Sequence, residues 1–311
     1  MKLKFIWVGF IVFLISWGGN LIYFQSQQLE EPIFLDHYYE PFVDNDWGLT
    51  FYYLSNKRDT STASYVTIDG EIMYPETYPS SFFFFSNQTV PYYKEEYRHH
   101  YLKSLTISNF NDVIAHHVNE EGVWIFEEIT VHFDDGRSVN ANIGEVRIRE
   151  RRTEPSVLHA RSGSSGSTHW EQTMMYAEQP ITIEEIQVPF NLLHQGVVGK
   201  VKVDNPQMDM ILNQEVQAPA WLNSYDFDEW NNFNGIHITN IAYPFSLAEG
   251  ERLQTFWQFR PDRYAYYQFG MKIKGTTAAG EPFADIDPII DHPSLSQADI
   301  DHIIEVKGGD K

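Results

Sequence analysis

Between Phe5 and Leu29 the chain carries no charged residue. Residues 5–24, FIWVGFIVFLISWGGNLIYF, are mostly apolar. At 1.5 Å per residue, a helix of roughly 20 residues matches a hydrocarbon core about 30 Å thick. Lipid offers no partner to a free peptide group, so only a helix is admissible there. Lys2 and Lys4 precede the segment, which sets the N-terminus in the cytoplasm by the positive-inside rule. Trp17 and Tyr23 suit the outer interface. The expectation is a cytoplasmic tip over 1–4, a transmembrane signal-anchor helix over 5–24, a polar stalk over 25–32, and everything beyond outside the cytoplasm. The rival is a secretory signal peptide cut near Ser16-Trp17-Gly18, but the bulky run 21–24 follows that site and no Ala-x-Ala is present.

The rest is rich in aromatics (15% of all residues) and in Val, Ile and Thr, which favours strands. Cys is absent, so an extracytoplasmic fold here rests on apolar burial without disulfides, as in an envelope that does not rely on oxidative folding. The formal charge of −21 repels nucleic-acid phosphate, and no nucleic-acid partner is expected.

Strand-like runs punctuated by turns recur along the chain. They cover 49–54, 64–68, 81–90, 102–108, 123–133 and 139–148, then 181–188, 197–203, 236–242, 253–259 and 264–274. Phe82–Phe85 read as a strand buried on both faces. Asp134–Arg137 reads as a hairpin turn, since Asp-Gly supplies positive φ. The small-residue stretch 161–168 (RSGSSGST) is either a linker or the middle of a hairpin, and its strand-like flanks favour the hairpin. Residues 208–218 read as a short helix. Ser294–Gln297 caps a C-terminal helix over 298–306 with Ile300, Ile303 and Ile304 on one face. A weak internal echo links 109–117 to 232–240 and 135–141 to 279–285. The fold expected is mainly β: an antiparallel β-sandwich-like region, two sandwiches over 33–152 and 153–293, then a C-terminal helix and tail over 294–311.

No phosphate-binding, dinucleotide, zinc-protease or nucleophile-elbow signature occurs. No catalytic residue or cofactor is assigned. The pairs His99-His100 and His116-His117 point to opposite faces of any strand, so each supplies one metal ligand at most. Calcium is the ion that suits the charge. Asp226, Asp228 and Asn232 are its weak candidates, in a loop that departs from the EF-hand pattern because Trp230 takes the fifth place. Arg147, Arg149 and Arg151 alternate along one strand and would share a face, where guanidinium groups grip a carboxylate or phosphate. The function expected is a non-enzymatic binding or interaction module held at the cell membrane and facing an envelope or membrane-protein partner. The alternatives are an envelope hydrolase acting on glycan or peptide, and an accessory or sensory subunit of a membrane complex.

Overall fold

The computed structural model describes residues 2–42, 48–76, 93–150, 155–166, 169–191, 196–204, 219–225 and 227–308. The tetra-phenylalanine run and the helix expected over 208–218 lie outside the described residues.

Helix α1 runs Lys2–Ser26, longer than the apolar segment alone. The first body strands are β1 (Ile33–Phe34), β2 (Asp36–Tyr39), β3 (Leu49–Asn56), β4 (Ala63–Ile68), β5 (Glu71–Met73), β6 (Glu95–Glu96), β7 (His100–Ile107), β8 (Val123–Phe133) and β9 (Ser138–Arg149). The remainder are β10 (Leu158–Gly166), β11 (Trp170–Ala177), β12 (Ile181–Gln187), β13 (Val197–Val203), β14 (Ile236–His237), β15 (Phe245–Leu247), β16 (Arg252–Phe259), β17 (Ala265–Thr277) and β18 (Pro282–Asp291). A short helix α2 (Asp228–Asn232) and the C-terminal helix α3 (Gln297–Gly308) complete the set.

One sheet threads the whole body. Its order is β15-β12-β17-β2-β9-β8-β4-β5, with β18 on β17. A four-stranded sheet, β1-β3-β7-β6, packs on the β2–β5 portion, and a five-stranded sheet, β10-β11-β16-β13-β14, packs on the β12–β17–β18 portion. The two cores lie on opposite faces of the shared sheet. Neighbouring residues of a strand point to opposite faces. Tyr39 and Tyr266 belong to the first core, and Tyr38 and Tyr267 to the second. Trp124 in the first core and Trp257 in the second are the largest fully buried side chains.

Most pairing is antiparallel, as expected. The exception is β2, which lies parallel to both β9 and β17 and so carries the sheet from one sandwich to the other. The small-residue stretch is no linker: β10 and β11 pair from Leu158↔Ala177 to Gly166↔Trp170. The strand expected over 236–242 stops at His237, where the imidazole Nδ1 accepts from Thr239 N and a 3-10 turn, Ile238–Asn240, follows. Strand β18 was not expected at all. Its alternation is carried partly by inward aspartates, because Asp285 accepts from Val157 N and Leu158 N, both at 2.9 Å.

The second part of the internal echo has a structural counterpart. Phe133 N donates to Arg137 O and Gly136 N to Phe133 O; Thr277 N donates to Glu281 O and Gly280 N to Thr277 O. Both turns join a long hairpin whose first strand also pairs with a strand of its own half, β4 with β8 and β12 with β17. The first part does not recur. Phe110 opens a 3-10 turn, whereas Phe233 ends α2.

Helix α3 is capped as its sequence indicates. Ser296 N donates to Asp299 Oδ2 at 2.6 Å, and Asp299 N to Ser296 Oγ at 3.4 Å. Ile300 and Ile303 enter the first core, and Lys307 Nζ donates to Phe34 O and Asp36 Oδ1.

Candidate functional site

Two features of this body are built for contact: the junction of α1 with the sandwich, and a cleft where the shared sheet divides.

At the junction, the residues expected as a polar stalk are bonded to the body. Leu29 N donates to Asn56 Oδ1 at 2.9 Å, and Asn56 Nδ2 donates back to Leu29 O at 2.8 Å. His100 Nε2 bonds Gln27 O at 2.9 Å. His99 sets its ring edge-on to Tyr23 and Phe24, and the Arg58 guanidinium lies 4.6 Å from the Phe24 ring. The helix therefore leaves the body in a fixed direction. Beyond this clamp nothing described covers it. Trp7, Phe10, Ile11, Val12, Phe13, Leu14, Ile15, Trp17, Leu21, Ile22 and Tyr23 are 43–69 % exposed. With the side chains of residues 2–6, 8 and 9 outside the description, no helix among the described residues is long and apolar enough to cross a membrane.

The cleft arises from strand arithmetic on β17. One edge of β17 pairs with two strands in line. Strand β2 occupies Ala265–Gln268, and β12 occupies Lys272–Thr277. Pro41 follows β2 closely and Pro189 follows β12 closely, and a proline cannot donate to a ladder. Between the two arms the sheet forks. The resulting cavity of about 230 Å³ is lined by Glu40, Phe42, Arg147, Arg149, Lys272 and Gly270, among others.

Two of the three arginines singled out from sequence come together here. Arg147 and Arg149 share a face of β9, as their alternation required. Arg151 lies outside the described residues. Lys272, from the opposite half of the chain, adds a third cation. The Arg149 guanidinium bonds Glu40 Oε1 through Nε at 2.6 Å and Nη2 at 2.5 Å. Arg147 does the same with Glu145 Oε1, at 2.6 and 2.5 Å, and lies 5.1 Å from the Phe190 ring. Burial raises the Glu40 carboxyl above its ordinary range, while Arg149, Arg147 and Lys272 pull it back. Among the described residues lining the cavity, Arg147, Arg149 and Lys272 are cationic and Glu40 is acidic, in a chain that is otherwise strongly acidic. Each guanidinium spends two of its five donors on its own carboxylate, so both are oriented with donors to spare.

The calcium candidates form no such constellation. Asp226 lies outside the described residues. Asp228 and Asn232 are exposed at the two ends of α2. The carbonyls of Trp230 and Phe233 are taken by the protein's own ammonium, Lys200 Nζ, at 2.7 and 3.2 Å. Among the described residues no three His, Cys, Asp or Glu side chains could hold a metal ion. Of the paired histidines, His117 stacks on Trp124 at 4.6 Å and His100 bonds Gln27 O at 2.9 Å; elsewhere His132 stacks on Tyr65 at 4.1 Å.

A second cluster of acids escaped sequence reasoning. Burial pushes Asp287 up to about 6 and Glu171 up to about 7. Beside them His169 is raised by its hydrogen bond to Asp291, 3.2 Å away. Raised carboxyls mark acid catalysts elsewhere, but Asp287 is only 1 % exposed and accepts from Thr255 Oγ1 at 2.8 Å. It is placed inside the second sandwich, beyond a substrate's reach.

No family model matches the chain, and no curated protein matches its sequence. Among solved structures it is similar to PcdhgB3 EC1-4 (TM-score 0.18, 8% identity, 85% of this chain and 50% of that one). It is also similar to the collagen adhesin CNA from S. aureus (TM-score 0.20, 8% identity, 86% and 94%) and to the C-terminal domain of the Streptococcus agalactiae AgI/II polypeptide BspA (0.20, 8%, 84% and 99%). The chain thus spans half the length of the first, and scores this low carry no inference about fold or function.

Proposed function

We propose that the protein is a membrane-tethered, non-enzymatic interaction module. Helix α1 crosses the bilayer with Lys2 and Lys4 on the cytoplasmic side. The acidic β body stands outside, and the fork cleft receives an acidic group of an envelope partner. On this reading residues 33–152 and 153–293 are two domains that share one sheet.

The observation that carries the tether is the exposed apolar helix clamped to a folded body. Each large apolar side chain withdrawn from water contributes about 1.5–3 kcal/mol. Eleven of them stand exposed on α1, so a bilayer would stabilise the helix by on the order of tens of kcal/mol. Helices that are apolar on every side are found within a protein core or a membrane, and beyond the clamp no described residue of the body covers this one. A surface of net charge −21 gains nothing from binding other polyanions broadly. The contact with an acidic partner therefore falls to the local positive spot at the fork.

The tether is tested by washing membranes from expressing cells with alkaline carbonate. The full chain stays in the pellet, and the variant I11D/I15D moves to the supernatant. Extraction of the unaltered chain would remove the anchor from this account.

A further inference from the structure

We propose that the fork cleft captures the free C-terminus of an extended peptide, pairing one residue of it with the open edge of β17. This rests on the reading of the cleft as an acid-binding site and names the ligand class.

Backbone parity along β17 carries the argument. In a strand, the N–H and C=O of one residue point to the same edge, and the next residue points to the other. Glu40 N donates to Gln268 O at 2.8 Å, so Gln268 faces the edge that β2 and β12 share. Gly270, two residues on, faces that same edge. The β2 register ends at Tyr39↔Gln268, and the β12 register begins at Gln187↔Lys272. Continuing the β12 register would set Pro189 opposite Gly270, and Pro189 has no N–H to give. Among the described residues no backbone hydrogen bond reaches Gly270 from either arm. One donor and one acceptor of a sheet edge thus face a cavity ringed by Arg147, Arg149 and Lys272.

The chemistry selects the ligand. A carboxylate or phosphate oxygen would engage the cations and the Gly270 N–H but offers the half-buried Gly270 carbonyl no N–H in register with the sheet. An extended peptide end running parallel to β17 presents both partners: its last N–H for the Gly270 carbonyl, the carbonyl two residues earlier for the Gly270 N–H, and the α-carboxylate for the guanidinium donors. Cavity size agrees. About 230 Å³ is below the roughly 300–1,000 Å³ of pockets that enclose whole small molecules, so the site suits an end group with the remainder outside. The gap on β17 between its two partner strands, only a few residues wide, likewise admits a terminus rather than a through-running strand.

The test uses the full chain in lipid nanodiscs and calorimetric titration with four probes. They are N-acetyl-trialanine with a free carboxyl, its C-terminal amide, the free acid with its last amide nitrogen methylated, and inorganic phosphate. The free acid binds at least about tenfold more tightly than the amide, the N-methyl acid and phosphate, a factor corresponding to about 1.4 kcal/mol. The paired variant E40Q/R149Q removes the preference for acid over amide while the circular dichroism spectrum is unchanged. If the N-methyl acid or phosphate binds as well as the free acid, and better than the amide, the site is an acid site and the peptide inference is overturned. If the amide equals the free acid, or if no probe binds, the acid-binding reading falls with it.

Discussion

Replacing Gly144 by alanine lowers the stability of the body by about 4 kcal/mol. Gly144 stands on β9 opposite His37 of β2, at the parallel seam that joins the two sandwiches. Its φ is +88°, a region L residues enter only with strain. A Cβ there would also lie 2.7 Å from the carbonyl oxygen of His37 and 2.8 Å from its nitrogen. These are backbone atoms of a fully buried residue, so no side chain can swing aside. Strain of about 1–3 kcal/mol and overpacking of about the same size add at one position. Gly136 supplies the control: its φ is +87° and a Cβ meets nothing within 4 Å, so G136A costs only about 1 kcal/mol. Urea unfolding of both variants separates close approach from strain. Equal losses would mean that the seam yields more readily than its geometry implies. Because β2 leads directly to Glu40, G144A also weakens the binding of acids in the fork.

Asp287 gives the second large effect. Burial lifts its carboxyl from an ordinary 3.8 to about 6. Between those values the folded chain holds a proton that the unfolded chain has lost, so this group's contribution to stability falls as pH rises through that window. Above about pH 6 the full penalty is in place, about 3 kcal/mol. D287N removes the titration. The variant is more stable than the unaltered protein above pH 6 by up to about 3 kcal/mol, and the difference shrinks towards zero near pH 4. Glu171, raised to about 7, and His169, raised by Asp291, slope the same way. His37 opposes them, since burial lowers it to about 3 and its unfolded form takes up protons first as pH falls. The whole-protein curve therefore mixes signs, and the difference curve between D287N and the parent is the informative one. A difference that is constant with pH would show that Asp287 does not titrate in this range.

Much of the architecture was legible because the local signals agreed with the tertiary ones. Alternation at Val123–Phe133 and 139–148, closed by Asp-Gly, specified a hairpin that forms as read. The C-terminal cap at Ser296 did likewise. The stripe of Arg147 and Arg149 followed from the two-residue period of a strand. Features that depend on distant pairing were not legible. Nothing in Asp36–Tyr39 signals a strand parallel to both neighbours, because that pairing is decided by residues over 100 and over 200 positions away. Lys272 and Glu40 reach the fork for the same reason. Strand β18 was hidden because its inward positions include Asp285 and Asp287, which reverse the usual polarity pattern. The prolines at the fork, Pro41 and Pro189, gain a common meaning only from the shared edge of β17.

Sidedness is the point on which the functional account turns. The chain has no cysteine, so one introduced thiol reports unambiguously. Glu249 lies exposed in the turn between β15 and β16. In intact cells expressing E249C, a membrane-impermeant maleimide labels the protein fully, and the label sediments with membranes. Labelling that appears only after the cells are broken would place the β body in the cytoplasm and contradict the account.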